Sequence, residues 1–319
     1  MRSLINELII SKSAMGRKLG RPASIRLPVA KPPFLPWHTP GLKLHFAMTV
    51  TAVLAIRNEE AYLANCLRHL VRNGIDFVII DNGSSDRSAE IYRRREFAQG
   101  LVDVVELPFT GMFSLSRQLE RKMEVIRTLE ADWVIHLDAD EIMHSRTEGE
   151  SLKQAVSRIH AAGWNAVNFE EFVFLPLEND YMPDVQGHQP ILHYYFFQPS
   201  SPRLIRAWKK AGGFSLVEQG GHVLTGPDLR LAPEHFILRH YIFRNQEHAF
   251  HKYPTREFSA DDLARGWHGN RVRQPAASFR FPPARLLREL TDPDDRGMDR
   301  SDPWDVHYWQ RPNHAEQAD

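Results

Sequence analysis

Residues 49–86 read TVTAVLAIRNEEAYLANCLRHLVRNGIDFVIIDNGSSD. The opening run, Thr49–Ile56, is β-branched and apolar without alternation, the pattern of a strand buried on both faces of a parallel sheet. Leu63, Cys66, Leu67, Leu70 and Val71 follow at helical spacing, and Gly74 supplies a stop. Phe77–Ile80 is a second buried strand. It ends on Asp81-Asn82-Gly83-Ser84-Ser85-Asp86, where Asp86 can cap a helix over residues 87–97.

The alternation continues outward. Val102–Leu107 reads as a third strand, Leu115, Leu119, Met123, Ile126 and Leu129 mark a long helix, and Trp133–Leu137 is a fourth strand. Strands separated by helices imply right-handed crossovers and a mainly parallel sheet flanked by helices. The expected class is α/β, with a less regular C-terminal half. There, Leu152–His160 reads as helix, and Ala166–Phe174, Ile191–Phe197 and Phe236–Phe243 as strands. Helices are expected from Asn245 to Tyr253 and over Ser259–Arg265, and the middle aromatics, Trp164 to Trp208, are expected mostly in the core.

Four segments are expected: an arm of 1–47, an α/β half of 48–150, a second half of the same domain over 151–285, and a polar tail of 286–319. From that tail Trp304, Tyr308 and Trp309 can dock back. The arm carries eight basic residues against the single acid Glu7, and six prolines forbid a continuous helix. It reads as flexible. Three readings stay open for it: contact with an anionic membrane surface, targeting, or a start placed upstream of Met48.

Composition narrows the function classes. The 319 residues hold 40 basic and 40 acidic side chains, a balance that argues against nucleic acid as a partner. The single cysteine, Cys66, excludes an internal disulfide framework and any cysteine-built metal site. No apolar run approaches the roughly 20 residues of a membrane span. A cytoplasmic protein is expected, with peripheral contact at the inner membrane surface as an option through the arm.

Chemistry concentrates at the strand ends, where open parallel sheets bind ligands. The first strand delivers Arg57-Asn58-Glu59, the second Asp81-Asn82-Gly83, and the fourth Asp138-Ala139-Asp140-Glu141. A strand-end Asp can take ribose hydroxyls or a base edge. An Asp-x-Asp pair on a tight turn can hold a hard divalent cation bridging two phosphates, which steadies a diphosphate leaving group. Each element alone is also a common turn or cap; their recurrence at successive strand ends is what points to a site.

In this order, Ala55-Ile56-Arg57-Asn58-Glu59-Glu60, Asp81 to Asp86 and His136-Leu137-Asp138-Ala139-Asp140-Glu141, the chain resembles the family 2 glycosyltransferases of the GT-A fold, over roughly residues 49–145. The resemblance implies transfer of a sugar from a nucleotide-sugar donor, with inversion, to a glycan or lipid-linked acceptor in polysaccharide assembly. It implies that Asn58 and Glu59 line the nucleotide loop, and that Asp81, with Asn82 beside it, meets base or ribose. Asp138 and Asp140 would hold Mn²⁺ or Mg²⁺ on the diphosphate. The segment from His240-Tyr241 to Lys252 resembles one found in a subset of these enzymes: His222 or His240 can complete the metal shell, and Lys252 or Arg256 can neutralise phosphate.

An inverting transfer needs a base for the acceptor hydroxyl. The Glu-Asp pair common in this family is missing after residue 150. The candidates are Glu170, Glu171, Asp184, Glu218 and Asp228, with Glu218 and Glu171 carried forward. Two other readings compete: a non-catalytic nucleotide-sugar-binding protein, and a sugar-phosphate nucleotidyltransferase. The latter lacks the glycine-rich basic loop that a triphosphate needs after strand one.

Overall fold

The computed structural model describes residues 48–177, 191–272 and 274–311. The arm of 1–47, Tyr181 and Asp184 lie outside them. In chain order the strands are β1 (Val50–Ile56), β2 (Asp76–Asp81), β3 (Leu101–Glu106), β4 (Trp133–Leu137), β5 (Glu141–His144), β6 (Ala166–Leu175), β7 (His193–Phe197), β8 (Leu204–Lys209), β9 (Phe236–His240) and β10 (Arg288–Glu289). The helices are α1 (Leu63–Arg72), α2 (Ser88–Tyr92), α3 (Leu115–Thr128), α4 (Leu152–Ala161), α5 (Gln246–Lys252) and α6 (Ala260–Ala264).

One sheet runs through all of it, in the order β10-β7-β6-β8-β4-β1-β2-β3. The β4-β1-β2-β3 side is parallel, and from β4 onward the path turns antiparallel through β8, β6, β7 and β10. A side branch leaves this path: β9 runs parallel to β6 and antiparallel to β5. The α/β class with a GT-A-like sheet is therefore what the chain adopts.

The uninterrupted apolar run of β1 is explained by burial on both faces. Val50, Ala52, Leu54 and Ile56 face the layer of α1 and α4, while Val53 joins Val78, Ile80 and Val134 under α3. Each Val, Leu or Ile among them contributes roughly 1.5–3 kcal/mol of burial. Helix α1 buries Leu63, Cys66, Leu67 and Leu70 and stops where Gly74 takes φ +69°. Among the described residues, no helix is long and apolar enough to cross a membrane.

Three local expectations change. The helix over 87–97 breaks after Tyr92, because Arg94 turns extended and the chain restarts as a 3-10 turn that buries Phe97. The strand expected over Phe236–Phe243 ends at His240; one further bond in the same register, from Tyr241 N to Asp140 O at 2.8 Å, ties its end to the acidic turn. Strands β5 and β8 were not anticipated; both exist through long-range pairing, β5 with β9 and β8 with β4 and β6.

Near the C-terminus Trp304 stacks on Tyr195 at 4.3 Å and Trp309 on Phe279 at 5.6 Å, so Trp304, Tyr308 and Trp309 are buried. The aromatics Phe169, Phe172, Phe174, Tyr194, Tyr195, Phe196 and Trp208 are core residues.

Candidate active site

The carboxyl end of β4 is where the charged residues gather. The chain leaves β4 at Leu137, turns through Asp138-Ala139-Asp140 and enters β5 at Glu141. Glu141 holds the turn from within: its Oε2 accepts from Asp138 N at 3.0 Å and its Oε1 from Arg206 of β8 at 3.0 Å. Burial pushes the Glu141 carboxyl up to about 7, against the pull of Arg206.

Asp138 and Asp140 meet different surroundings. The Asp138 side chain is 48% exposed, and its Oδ1 lies 3.2 Å from Nζ of Lys122, a lysine only 2% exposed on α3. Lys122 also donates to Leu137 O and approaches His136 Nδ1 at 3.0 Å. Asp140 is buried, with Oδ2 2.8 Å from Lys252 Nζ and 3.5 Å from His240 Nε2. Burial opposes its ionisation, but Lys252 and His240 outweigh it and hold the carboxyl well below its usual range.

His240 links this pair to a third carboxylate. At the end of β9, it sits against β5 on one side and β6 on the other. Its Nδ1 lies 2.6 Å from Glu171 Oε1, and Arg203 pairs with Glu171 Oε2. The sequence Lys252, Asp140, His240, Glu171, Arg203 thus alternates in charge across the cleft. Burial alone would discharge His240, yet Asp140 and Glu171 raise its pKa well above the ordinary histidine value.

The residues expected at the nucleotide loop also converge. Asn58, at φ +57°, accepts through Oδ1 from Ser85 N at 2.7 Å, a conformation that Asn tolerates better than most residues. Asp81 accepts from Ser84 N at 2.8 Å and from Tyr92 OH at 3.1 Å. Asn82 is buried and donates to Leu107 O at 2.8 Å. All three therefore shape the loops beyond β1 and β2. Glu59 points toward the acidic turn: burial and then Asp140 raise its carboxyl to about 8, with Lys252 and Arg256 opposing.

The remaining carboxylate candidates are placed apart, whereas His222 lies within electrostatic reach of Arg203, Arg206 and Glu171. Glu218 stands exposed on the loop between β8 and β9, accepting from Thr225 Oγ1 at 2.8 Å. His222, on the same loop, is exposed as well, with Ile205 N donating to its carbonyl. Glu170 pairs with Arg300 at 2.6 Å. Asp228 borders a surface hollow of about 370 Å³ beside Asn165 and Lys209; this hollow and another of about 490 Å³ over α3 both lie off the acidic cluster.

A divalent cation fits this turn as a substrate-completed site. Among the described residues no three His, Cys, Asp or Glu side chains form a full cage. Asp138 Oδ2 and Asp140 Oδ1 carry no hydrogen bond there, since Lys122, Lys252 and His240 all address the other oxygen of each pair. Two carboxylates plus phosphate oxygens and water are what Mg²⁺-like ions usually accept.

Reading the sequence alone missed Lys122, Arg203 and Arg206. Lys122 had a signal: it lies three residues after Leu119 and four before Ile126, on the buried stripe of α3. Arg203 and Arg206 had none, because β8 itself was not foreseen.

The family comparison agrees with this geometry. Residues 51–161, from β1 through α4, match the model described as Glycosyl transferase family 2. The match takes in the Asp138-Ala139-Asp140 turn, and over this third of the chain the sequence is similar to that class of enzyme. No protein of curated function matches the chain. Among solved structures, S. aureus TarS 1–349 in complex with UDP shares 13% identity and a TM-score of 0.38, covering 60% of each chain. The mannosyltransferase PcManGT from Pyrobaculum calidifontis, in complex with GDP-Man and Mn²⁺, shares 14% at 0.36, covering 66% of this chain and 62% of that one. Glucosyl-3-phosphoglycerate synthase from Mycobacterium tuberculosis, with Mn²⁺, UDP-glucose and phosphoglyceric acid, shares 22% at 0.27, covering 43% and 50%. The match spans only 37% of the longer TarS structure.

Proposed function

We propose that this protein is an inverting, divalent-cation-dependent glycosyltransferase that moves a hexosyl group from a nucleotide-sugar donor to a glycan or lipid-linked acceptor. The observation that carries the reading is the turn Asp138-Ala139-Asp140 at the carboxyl end of β4, which lies inside the segment that matches the family and is faced by buried Lys122 and by Lys252 and His240.

In this reading Asp138 and Asp140 hold Mn²⁺ or Mg²⁺, which supplies charge neutralisation for the departing diphosphate. Lys252 adds a fixed positive charge beside Asp140. Asn58, Glu59, Asp81 and Asn82 form the wall against which base and ribose settle. Glu171 keeps His240 oriented toward Asp140 instead of serving as a base, because both of its oxygens are engaged in buried ion pairs. Glu218 remains as the other candidate for the base, exposed on its loop and apart from the turn.

A second reading draws on the same observation. With Glu171 closed off, a protein that binds a nucleotide sugar without turning it over fits the donor side equally well. A thermal-shift panel of UDP, GDP, CDP and dTDP, each with and without Mn²⁺, tests the donor side, since a ligand of the folded state raises its apparent stability. One nucleotide stabilising strongly and only with metal supports both readings, and turnover of the matching labelled nucleotide sugar selects the transferase. No response from folded protein overturns both.

A further inference from the structure

Several arginines with little exposure are held by carboxylates. Arg203, Arg206 and Arg300 each pair with a carboxylate. Arg256 and Arg271 do not: among the described residues no carboxylate oxygen lies within 4.0 Å of either guanidinium. Glu59 and Asp140 act on Arg256 only from farther away.

Both guanidiniums are nonetheless fixed in place. Arg271 lies over the Tyr253 ring at 4.5 Å and Arg256 over the Phe113 ring at 4.9 Å, so each guanidinium is held by an aromatic face. His268 joins them, stacked on Phe258 at 4.6 Å and edge-on to Phe113 at 5.5 Å. Arg271 Nη1 lies 3.4 Å from His268 Nδ1. Because a guanidinium only donates, that contact places the imidazole proton on Nε2. Both His268 Nε2 and Arg271 Nε are buried and without a hydrogen-bond partner. Orphaned buried donors are costly, and two in one place call for an acceptor from outside.

The supporting segment is anchored to the rest of the site. Asp262 accepts from Leu115 N at 2.6 Å and Ser116 N at 3.1 Å, and Phe113 exchanges backbone bonds with Glu257 and Ser259. Tyr253 directly follows Lys252, the partner of Asp140.

We propose that Arg256, His268 and Arg271 form a second anion subsite beside the sugar-transfer centre, which binds a phosphoryl group carried by the acceptor. The inference rests on the glycosyltransferase reading for the word acceptor, while the subsite itself stands on the two orphaned donors of His268 and Arg271, with Arg256 within electrostatic reach of both. A phosphoryl group suits it because its several oxygens can take N–H donors from two guanidiniums and an imidazole at once.

The test is calorimetric titration of a phosphoryl probe into protein already saturated with the nucleoside diphosphate and Mn²⁺. One arm uses inorganic phosphate and a sugar phosphate. The other uses vesicles of phosphatidylcholine with or without phosphatidic acid, so the arms separate a soluble phosphate from a lipid headgroup. Binding in either arm on top of the nucleotide, weakened at least tenfold by Arg271→Gln with nucleotide affinity unchanged, is the expected result. Binding only in competition with the nucleotide, or in neither arm, overturns the subsite. Should Arg271→Gln misfold, phenylglyoxal labelling of the unmutated protein replaces it: phosphate must protect Arg256 and Arg271, and equal labelling with and without phosphate overturns the proposal. If no nucleoside diphosphate binds at all, the proposed function fails, and the same titrations on free protein still decide the subsite.

Discussion

Glu171 Oε1 lies 2.6 Å from His240 Nδ1, across the seam where β6 and β9 run parallel. This contact holds the imidazole with Nε2 toward Asp140, and in the proposed reading Glu171 is a positioning residue. Glu171→Gln keeps the shape and removes the charge. The expected outcome is a folded protein whose Mn²⁺-assisted nucleotide affinity falls about 10–100-fold, read by titration with and without metal. Unchanged affinity with a collapsed kcat would instead identify Glu171 as the base.

Asp140 is paired with both Lys252 and His240. Asp140→Asn should lower transfer from labelled donor by about a hundredfold or more. Asp140→Ala should in addition cost about 3 kcal/mol of stability, because Lys252 is left as an unpaired buried cation. Urea unfolding measures the second effect separately. Full activity in Asp140→Asn would remove the metal assignment.

Stability should fall as pH rises from about 4.5 toward 8, through Glu59. Its carboxyl titrates near 4.5 when unfolded and near 8 when folded, so in that window the folded state binds the extra proton. The slope from this one group is at most about 1.4 kcal/mol per pH unit. Glu141, raised to about 7, adds in the same direction. Glu59→Gln should flatten the decline in melting temperature between pH 5 and 8, roughly the window set by those two titrations. An identical slope in the variant would contradict the burial of Glu59 behind Asp140.

Asp262 is fully buried and spans from α6 to the first amides of α3. Asp262→Ala should cost about 1–3 kcal/mol by leaving those amides unsatisfied. It should also speed limited proteolysis within residues 253–271, monitored by mass spectrometry. Cleavage unchanged from the parent protein would mean that the segment is held by its other contacts.

Legibility followed range along the chain. Strands β1, β2 and β4 announced themselves because a strand buried on both faces is apolar throughout, and their polar ends marked the ligand side of the sheet. The helices at Asn245 and Ser259 were visible as caps, and Asn245 Oδ1 accepts from His248 N at 2.7 Å. Strand β8 was hidden in RLIRAW, where Arg203 and Arg206 break the apolar pattern; they are tolerated because Glu171 and Glu141 stand opposite them. Lys122 was visible only as a lysine on an apolar helix stripe.

The sequence by itself determined the α/β frame and the acidic turn at residues 138–141, since both depend on neighbours a few positions apart. Only the tertiary structure decided what those acids face. Lys122, Lys252, His240, Arg203 and Arg206 come from α3, α5, β9 and the region of β8, and no local pattern records which charges meet when separate elements close on one cleft. Burial then sets the strength of each pairing, because the same carboxylate is ordinary in water and strongly shifted where water is excluded.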